Sequence, residues 1–282
     1  MSKIAKAAHQ RRALIWVLIA LCVLFFASSV TWPQKSNSGA KDVDLLLALA
    51  VDVSESISDE EAQLQRFGYA EALSDPLVVS AIQLGRLKRI AITYMEWSGM
   101  NEQTIVLPWT VLDSQKTAET IRDALTKLPI SGGYWTSISN AIDRAHQLIA
   151  KSPHKSYRRV IDVSSDGRNN AGGPLADARQ RALVNGITIN GLAIRIRRKN
   201  LIMMPLPELD RYFRECVIGG MGAFSISVTR YDDFVKAVRR KLIREIAGIT
   251  NPPGKVIRTA GKPRKIDLFC LEDPEDITPN KT

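Results

Sequence analysis

Residues 42–56 read DVDLLLALAVDVSES, and Leu45 to Val51 form an apolar run without a polar interruption. Such a run does not alternate, so it suits a strand buried on both faces, as in the centre of a parallel sheet. It breaks off at Asp52, Ser54 and Ser56. One carboxylate and two hydroxyls are therefore delivered where the strand ends.

Working outward, the chain alternates strand-like and helix-like segments. Residues 58–73, SDEEAQLQRFGYAEAL, have Ser58 and Glu61 in capping-box spacing. Leu64, Phe67, Ala70 and Leu73 then recur every three residues, as a helix requires. KRIAITYMEWS (88–98) and TIVLPWTVL (104–112) read as strands joined by the turn-rich GMNEQ, which predicts a hairpin. Thr117 to Leu128 reads as a helix. The glycine-containing loop ISGGYWT (130–136) leads into a helix, SISNAIDRAHQLIA, that buries Ile138, Ala141, Ile142, Ala145 and Leu148. RRVIDVSS (158–165) is a strand and DGRNNAGG a loop. PLADARQRALVNG is a helix with Pro at its start and Gly at its end. ITINGLAI and AFSISV are strands, and YDDFVKAVRRKLIREIAG is the last helix. The expectation is a doubly wound α/β domain, with a mostly parallel sheet, helices on both faces and one antiparallel edge strand.

Ligands of such sheets gather at the carboxyl ends of the strands. Asp52, Ser54 and Ser56 fall there, as do Thr136 in the loop opening a helix and Asp166 just after RRVIDVSS. Two carboxylates and three hydroxyls make an all-oxygen set, which suits a small hard cation such as Mg²⁺ (or Mn²⁺), held octahedrally at ~2.0–2.1 Å for Mg²⁺. The absence of His and Cys argues against zinc or copper. All five residues lie in loops, so they are expected at the surface. Each also has an ordinary explanation. Asp52 could simply end a strand, Ser54 and Ser56 could satisfy a turn, Thr136 could be a helix N-cap, and Asp166-Gly167 is a common turn pair. Asn169 and Asn170 could support the loop, although loop asparagines are mostly turn formers.

In order and position, these three elements resemble the metal-ion-dependent adhesion site of the von Willebrand factor type A domain. That site is D-x-S-x-S, then a distant Thr, then a distant Asp. VDVSESIS, WTSISNAI and SSDGRNN carry the match, and the resemblance covers roughly residues 42–248. The wording of these segments, with TYMEWSG, ECVIGGMGAF and AVRRKLIREIAG, also looks like an exported bacterial family of unknown function built on this domain. The resemblance implies a protein-binding module in which a partner's Asp or Glu completes the metal shell.

The termini place that domain. Lys3, Lys6, Arg11 and Arg12 precede an uncharged apolar run from Ala13 to Val30. The run is about long enough to span a bilayer, which takes ~20 residues. Residues 1–30 therefore read as a single-pass anchor with the domain on the extracytoplasmic, periplasmic side, because the basic end stays inside. A cleaved signal, releasing the protein to the periplasm, is the alternative. Residues 31–41 are a polar linker, 42–248 the domain and 249–282 a Pro/Gly/charged tail. The net charge of +10 is partly confined to the two ends. Lys255, Arg258, Lys262, Arg264 and Lys265 are largely offset by Asp267, Glu272, Asp273, Glu275 and Asp276. No nucleic-acid motif accompanies the charge, and nucleic acid is not expected as a partner. The basic stretch Arg195, Arg197, Arg198, Lys199 could draw an acidic partner or be a solvated edge. Cys216 and Cys270 fall in the exported part, where a disulfide is permitted, whereas Cys22 lies in the apolar run.

Two other functions stand beside binding. Asp52 could act as a carboxylate nucleophile beside Mg²⁺ in phosphoryl transfer or hydrolysis. Such enzymes usually supply a second Asp two residues on, where this chain has Ser54, and no His is placed to activate either serine. A structural envelope role without metal is the third.

Overall fold

The computed structural model describes residues 39–130, 132–196, 208–248 and 268–270. The expected membrane anchor, and most of the linker and tail, lie outside these residues. Among the described residues no helix is long and apolar enough to cross a membrane.

The central strand is β1 (Leu46–Asp52), buried along its whole length. Its two faces differ in size. Leu45, Leu47, Leu49 and Val51 enter one core, and Leu46, Ala48 and Ala50 enter the other. The run therefore reads as continuous because both faces are covered. Around β1 stand β2 (Ile90–Trp97), β3 (Gln103–Leu112), β4 (Arg159–Ser165), β5 (Thr188–Ile194) and β6 (Ser225–Val228), in the order β3-β2-β1-β4-β5-β6. All pairings are parallel except β2 with β3, the expected hairpin. Pro108 sits on edge strand β3, where a missing N–H is tolerated. The register there moves from Ile92–Thr110 to Tyr94–Leu107, which leaves Pro108 and Trp109 in a bulge opposite Thr93. Trp109 turns its ring nitrogen onto the Leu148 carbonyl at 3.0 Å.

Helices α1 (Asp59–Ser74), α2 (Pro76–Gln83), α3 (Gln115–Lys127), α4 (Ile138–Ala150), α5 (Leu175–Val184), α6 (Leu209–Tyr212) and α7 (Phe234–Ala247) cover the sheet. Residues of α1, α2, α3 and α7 pack in the core of the larger β1 face, and those of α4, α5 and α6 in the other. The capping box at Ser58 and Glu61 is formed, and α7 ends at Gly248 in a left-handed conformation (φ 61°) that glycine adopts without strain.

Two helices were not visible in the sequence pattern. One is α2, although Asp75 caps it and Pro76 opens it. The other is α6, which continues as a π turn, Phe213–Val217. The predicted apolar face of α1 also needs correction. Leu64 is 47% and Phe67 50% exposed, whereas Ala62, Gln65, Arg66, Tyr69, Ala70 and Leu73 are buried. The reason is geometric. A spacing of three falls short of the 3.6-residue turn, so such a row drifts around the helix instead of staying on one face. In α4, Ile138, Ala141, Ile142 and Ala145 are buried as expected, but Leu148 is only partly so.

The disulfide between Cys216 and Cys270 is present, closing a sequence separation of 54 residues.

Candidate metal centre

The sheet order reverses at β1. The chain leaves β1 toward β2 on one side and later continues from β4 toward β5 on the other. In sheets of this kind ligands bind at such a reversal of strand order. Because β1 and β4 are parallel neighbours, Asp52 and Ser165 come to the same end of the sheet.

Asp52 is fully buried. Its Oδ1 accepts the Ser54 N–H at 2.8 Å, and its Oδ2 accepts the Ser165 hydroxyl. Asp52 thus does more than end a strand: one oxygen holds the turn at Ser54 and the other holds Ser165 of the neighbouring strand. A small apolar cluster of Val53, Ile57 and Ala62, with Ile130 against it, holds the loop after β1. The loop of Thr136 runs alongside, with Ser54 bridged to Gly133. At Gly133 a Cβ would meet the Glu102 carboxylate and Ser98 Oγ, which would have to move aside.

Thr136 is not the cap of α4. That position belongs to Ser137, whose hydroxyl accepts the Asn140 N–H. Thr136 instead donates its hydroxyl to Ser54 Oγ at 3.2 Å. Ser54 Oγ lies 3.3 Å from Ser56 Oγ, and Ser56 donates to Asp166 Oδ1 at 2.6 Å. The five residues singled out from the sequence thus meet: one hydroxyl chain runs from Thr136 through Ser54 and Ser56 to Asp166, and Asp52 underlies it. They are less exposed than expected. Asp52, Ser54 and Thr136 are 0%, 1% and 5% exposed, and only Ser56 is open to solvent, with Asp166 partly so. Burial follows from packing three loops against one another at the sheet edge.

The electrostatics of this cluster are unbalanced. Burial, and next the negative charge of Asp166, push the Asp52 carboxyl up to about 7, while hydrogen bonds from Ser165 and Ser54 act the other way. Two carboxylates facing neutral hydroxyls call for a cation. The donor set fits a hard divalent ion, because all five side chains offer oxygen only.

The sequence offered Asn169 and Asn170 only as possible supports of the loop, and did not single out Ser165. Ser165 holds Asp52. The Asn170 side chain accepts the Thr136 N–H at 2.7 Å, and that of Asn169 accepts the Ser139 N–H at 2.8 Å. The two asparagines therefore tie the Asp166 loop to the Thr136 loop. The signal was the run SSDGRNN itself. The basic stretch gives less. Arg195 forms an ion pair with Asp210 at 2.8 Å, and residues 197–199 lie outside the described residues.

A family model for proteins of unknown function, DUF1194, matches residues 42–250. The chain belongs to the DUF1194 family. No curated protein sequence matches this DUF1194 chain. Among solved structures, proximal thread matrix protein 1 from the mussel byssus superposes with a TM-score of 0.52 at 12% identity, over 74% of this chain and 49% of that one. The pilus adhesin SpaC of Lactobacillus rhamnosus GG gives 0.52 at 13%, over 74% and 31%. A von Willebrand factor type A protein from Catenulispora acidiphila gives 0.51 at 12%, over 72% and 43%. The DUF1194 chain thus spans less than half the length of each, and what it shares with them is the von Willebrand factor type A fold.

Proposed function

We propose that this domain is a metal-dependent protein-binding module. Asp52, Ser54, Ser56, Thr136 and Asp166 hold Mg²⁺ or Mn²⁺, and a carboxylate from a partner protein completes the shell. The observation that carries this reading is the continuous contact of all five side chains across three loops distant in sequence. Asp52 and Asp166 offset the ion's charge, and three neutral hydroxyls leave it able to attract an anion. The engagement of both Asp52 oxygens, by Ser54 and Ser165, favours a ligand-holding role over a nucleophilic one. The ion would supply a fixed positive charge. The chain's own residues orient it, and Asn169 and Asn170 keep the two outer loops in register.

The test is thermal unfolding of the full-length protein with and without Mg²⁺ or Mn²⁺. Binding to the folded state alone stabilises by about 2.7 kcal/mol at a hundredfold excess over Kd. Asp52→Asn, which keeps the shape of the side chain, should remove the gain, and Thr136→Ala and Asp166→Ala should reduce it. A melting shift that survives Asp52→Asn would overturn the assignment.

We also propose that residues 1–30 tether the module to a membrane with the domain on the extracytoplasmic side, on the strength of the basic residues before the apolar run. A reporter joined after Thr282 is expected to be active only outside the cytoplasm. Cytoplasmic activity would reverse the orientation.

A further inference from the structure

The loop that carries Asp166 is also touched by the C-terminal segment. Leu268–Cys270 forms a single 3-10 turn, and Cys270 is joined to Cys216 in the π turn after α6. The neighbour of Cys270, Phe269, lies against two guanidinium groups. Arg211 stands 4.0 Å and Arg168 4.7 Å from its ring centroid. Arg168 also stands 5.1 Å from the Tyr212 ring, so both rings hold it. Tyr212 in turn accepts the Asn169 N–H on its hydroxyl at 3.2 Å.

Arg168 is two residues from Asp166 and directly precedes the asparagines that bind Ser139 and Thr136. We propose that Phe269 is a positioning residue for the metal site, delivered by the disulfide onto Arg168 so that its ring fixes the path of the loop from Asp166 to Asn170. This role rests on the metal-binding reading given above. It explains why a tail segment remote in sequence is fastened here. The segment Asp166-Gly167 has a glycine without a side chain to pack, so the next residue, Arg168, is where the loop can be gripped from outside. Residues that orient metal ligands through intermediate contacts change metal affinity without touching the ion.

The experiment uses the full-length oxidised protein and two readouts. One is amide hydrogen exchange at residues 167–170 without metal. The other is titration with Mn²⁺ alone. Phe269→Ala is expected to speed exchange in that loop several-fold and to weaken Mn²⁺ binding about tenfold. Phe269→Tyr should restore both, because an aromatic face is retained. The double variant Cys216→Ser/Cys270→Ser should resemble Phe269→Ala. Unchanged exchange in Phe269→Ala overturns the proposal. Wild-type binding of Mn²⁺ with unaltered affinity in Phe269→Ala overturns the role of Phe269 alone. A wild-type protein that takes up no Mn²⁺ overturns the metal reading, and this role with it.

Discussion

Lys241→Met is expected to destabilise the domain by about 3–5 kcal/mol at neutral pH, the usual effect of removing one partner from a buried ionic group. Lys241 lies on α7 but is fully buried, with its Nζ 2.5 Å from Asp162 Oδ1 on β4 and 2.6 Å from Glu245 Oε1. Asn190 adds a hydrogen bond to Glu245 at 2.9 Å. Burial, and then the charge of Asp162, push the Glu245 carboxyl from 4.5 up to about 7, against the pull of Lys241. Burial raises Asp162 as well. A carboxyl whose folded value is raised takes up a proton on folding. Its contribution to stability is therefore complete below about 4.5 and is lost as the pH rises through about 7. Without Lys241 both carboxyls shift further up, so the deficit of the variant should be smaller at pH 5 than at pH 8. Urea unfolding of both proteins at the two pH values checks this. Asp52 titrates in the same range, but it cancels in the difference between the proteins. Equal deficits at both pH values would mean that the ammonium is not what balances these carboxyls.

The second large effect is expected at Arg66, on α1. Its guanidinium grips Glu96 of β2 through two hydrogen bonds, at 2.7 and 2.6 Å, and both side chains are buried. It also donates to the carbonyls of Leu128 and Pro129. Arg66→Met should destabilise by about 3–5 kcal/mol, since it leaves the Glu96 carboxylate buried without this partner. The double variant Arg66→Met/Glu96→Met should recover much of the loss, because two apolar groups replace the pair. Unfolding in denaturant measures all three variants, and a double variant as unstable as Arg66→Met would contradict the account. Leu128 and Pro129 lead into the loop of Thr136, so Arg66→Met should also reduce the metal-dependent melting shift proposed above.

These two ionic clusters mark where the sequence could be read and where it could not. The architecture was legible because β1 writes it twice, as an uninterrupted apolar run and as an abrupt polar end. The meeting of the five candidate residues was legible because each sits at a strand or helix boundary that local patterns identify. Arg66 and Lys241 were not, since a charged residue on a helix reads as solvated until its partner is known. Glu96 and Asp162 are distant in sequence and sit on different strands. The face of α1 was misread for a related reason: its interior side carries Gln65 and Arg66, while Leu64 and Phe67 face outward. Ser165 was missed because its partner, Asp52, comes from another strand, and for a like reason Asn170 was named as a support of its loop without its partner, Thr136. The capping role considered for Thr136 was resolved only by geometry, which gives it to Ser137.

The bulge at Pro108 has a consequence for association. A sheet can grow only by adding a strand at an edge, and a straight edge with free N–H and C=O groups invites it. Here the longer edge strand, β3, is interrupted by Pro108 and Trp109, and the opposite edge, β6, is only four residues long. Neither described edge is a good template for cross-β pairing between copies. Cross-β growth through either of these described edges is therefore not expected.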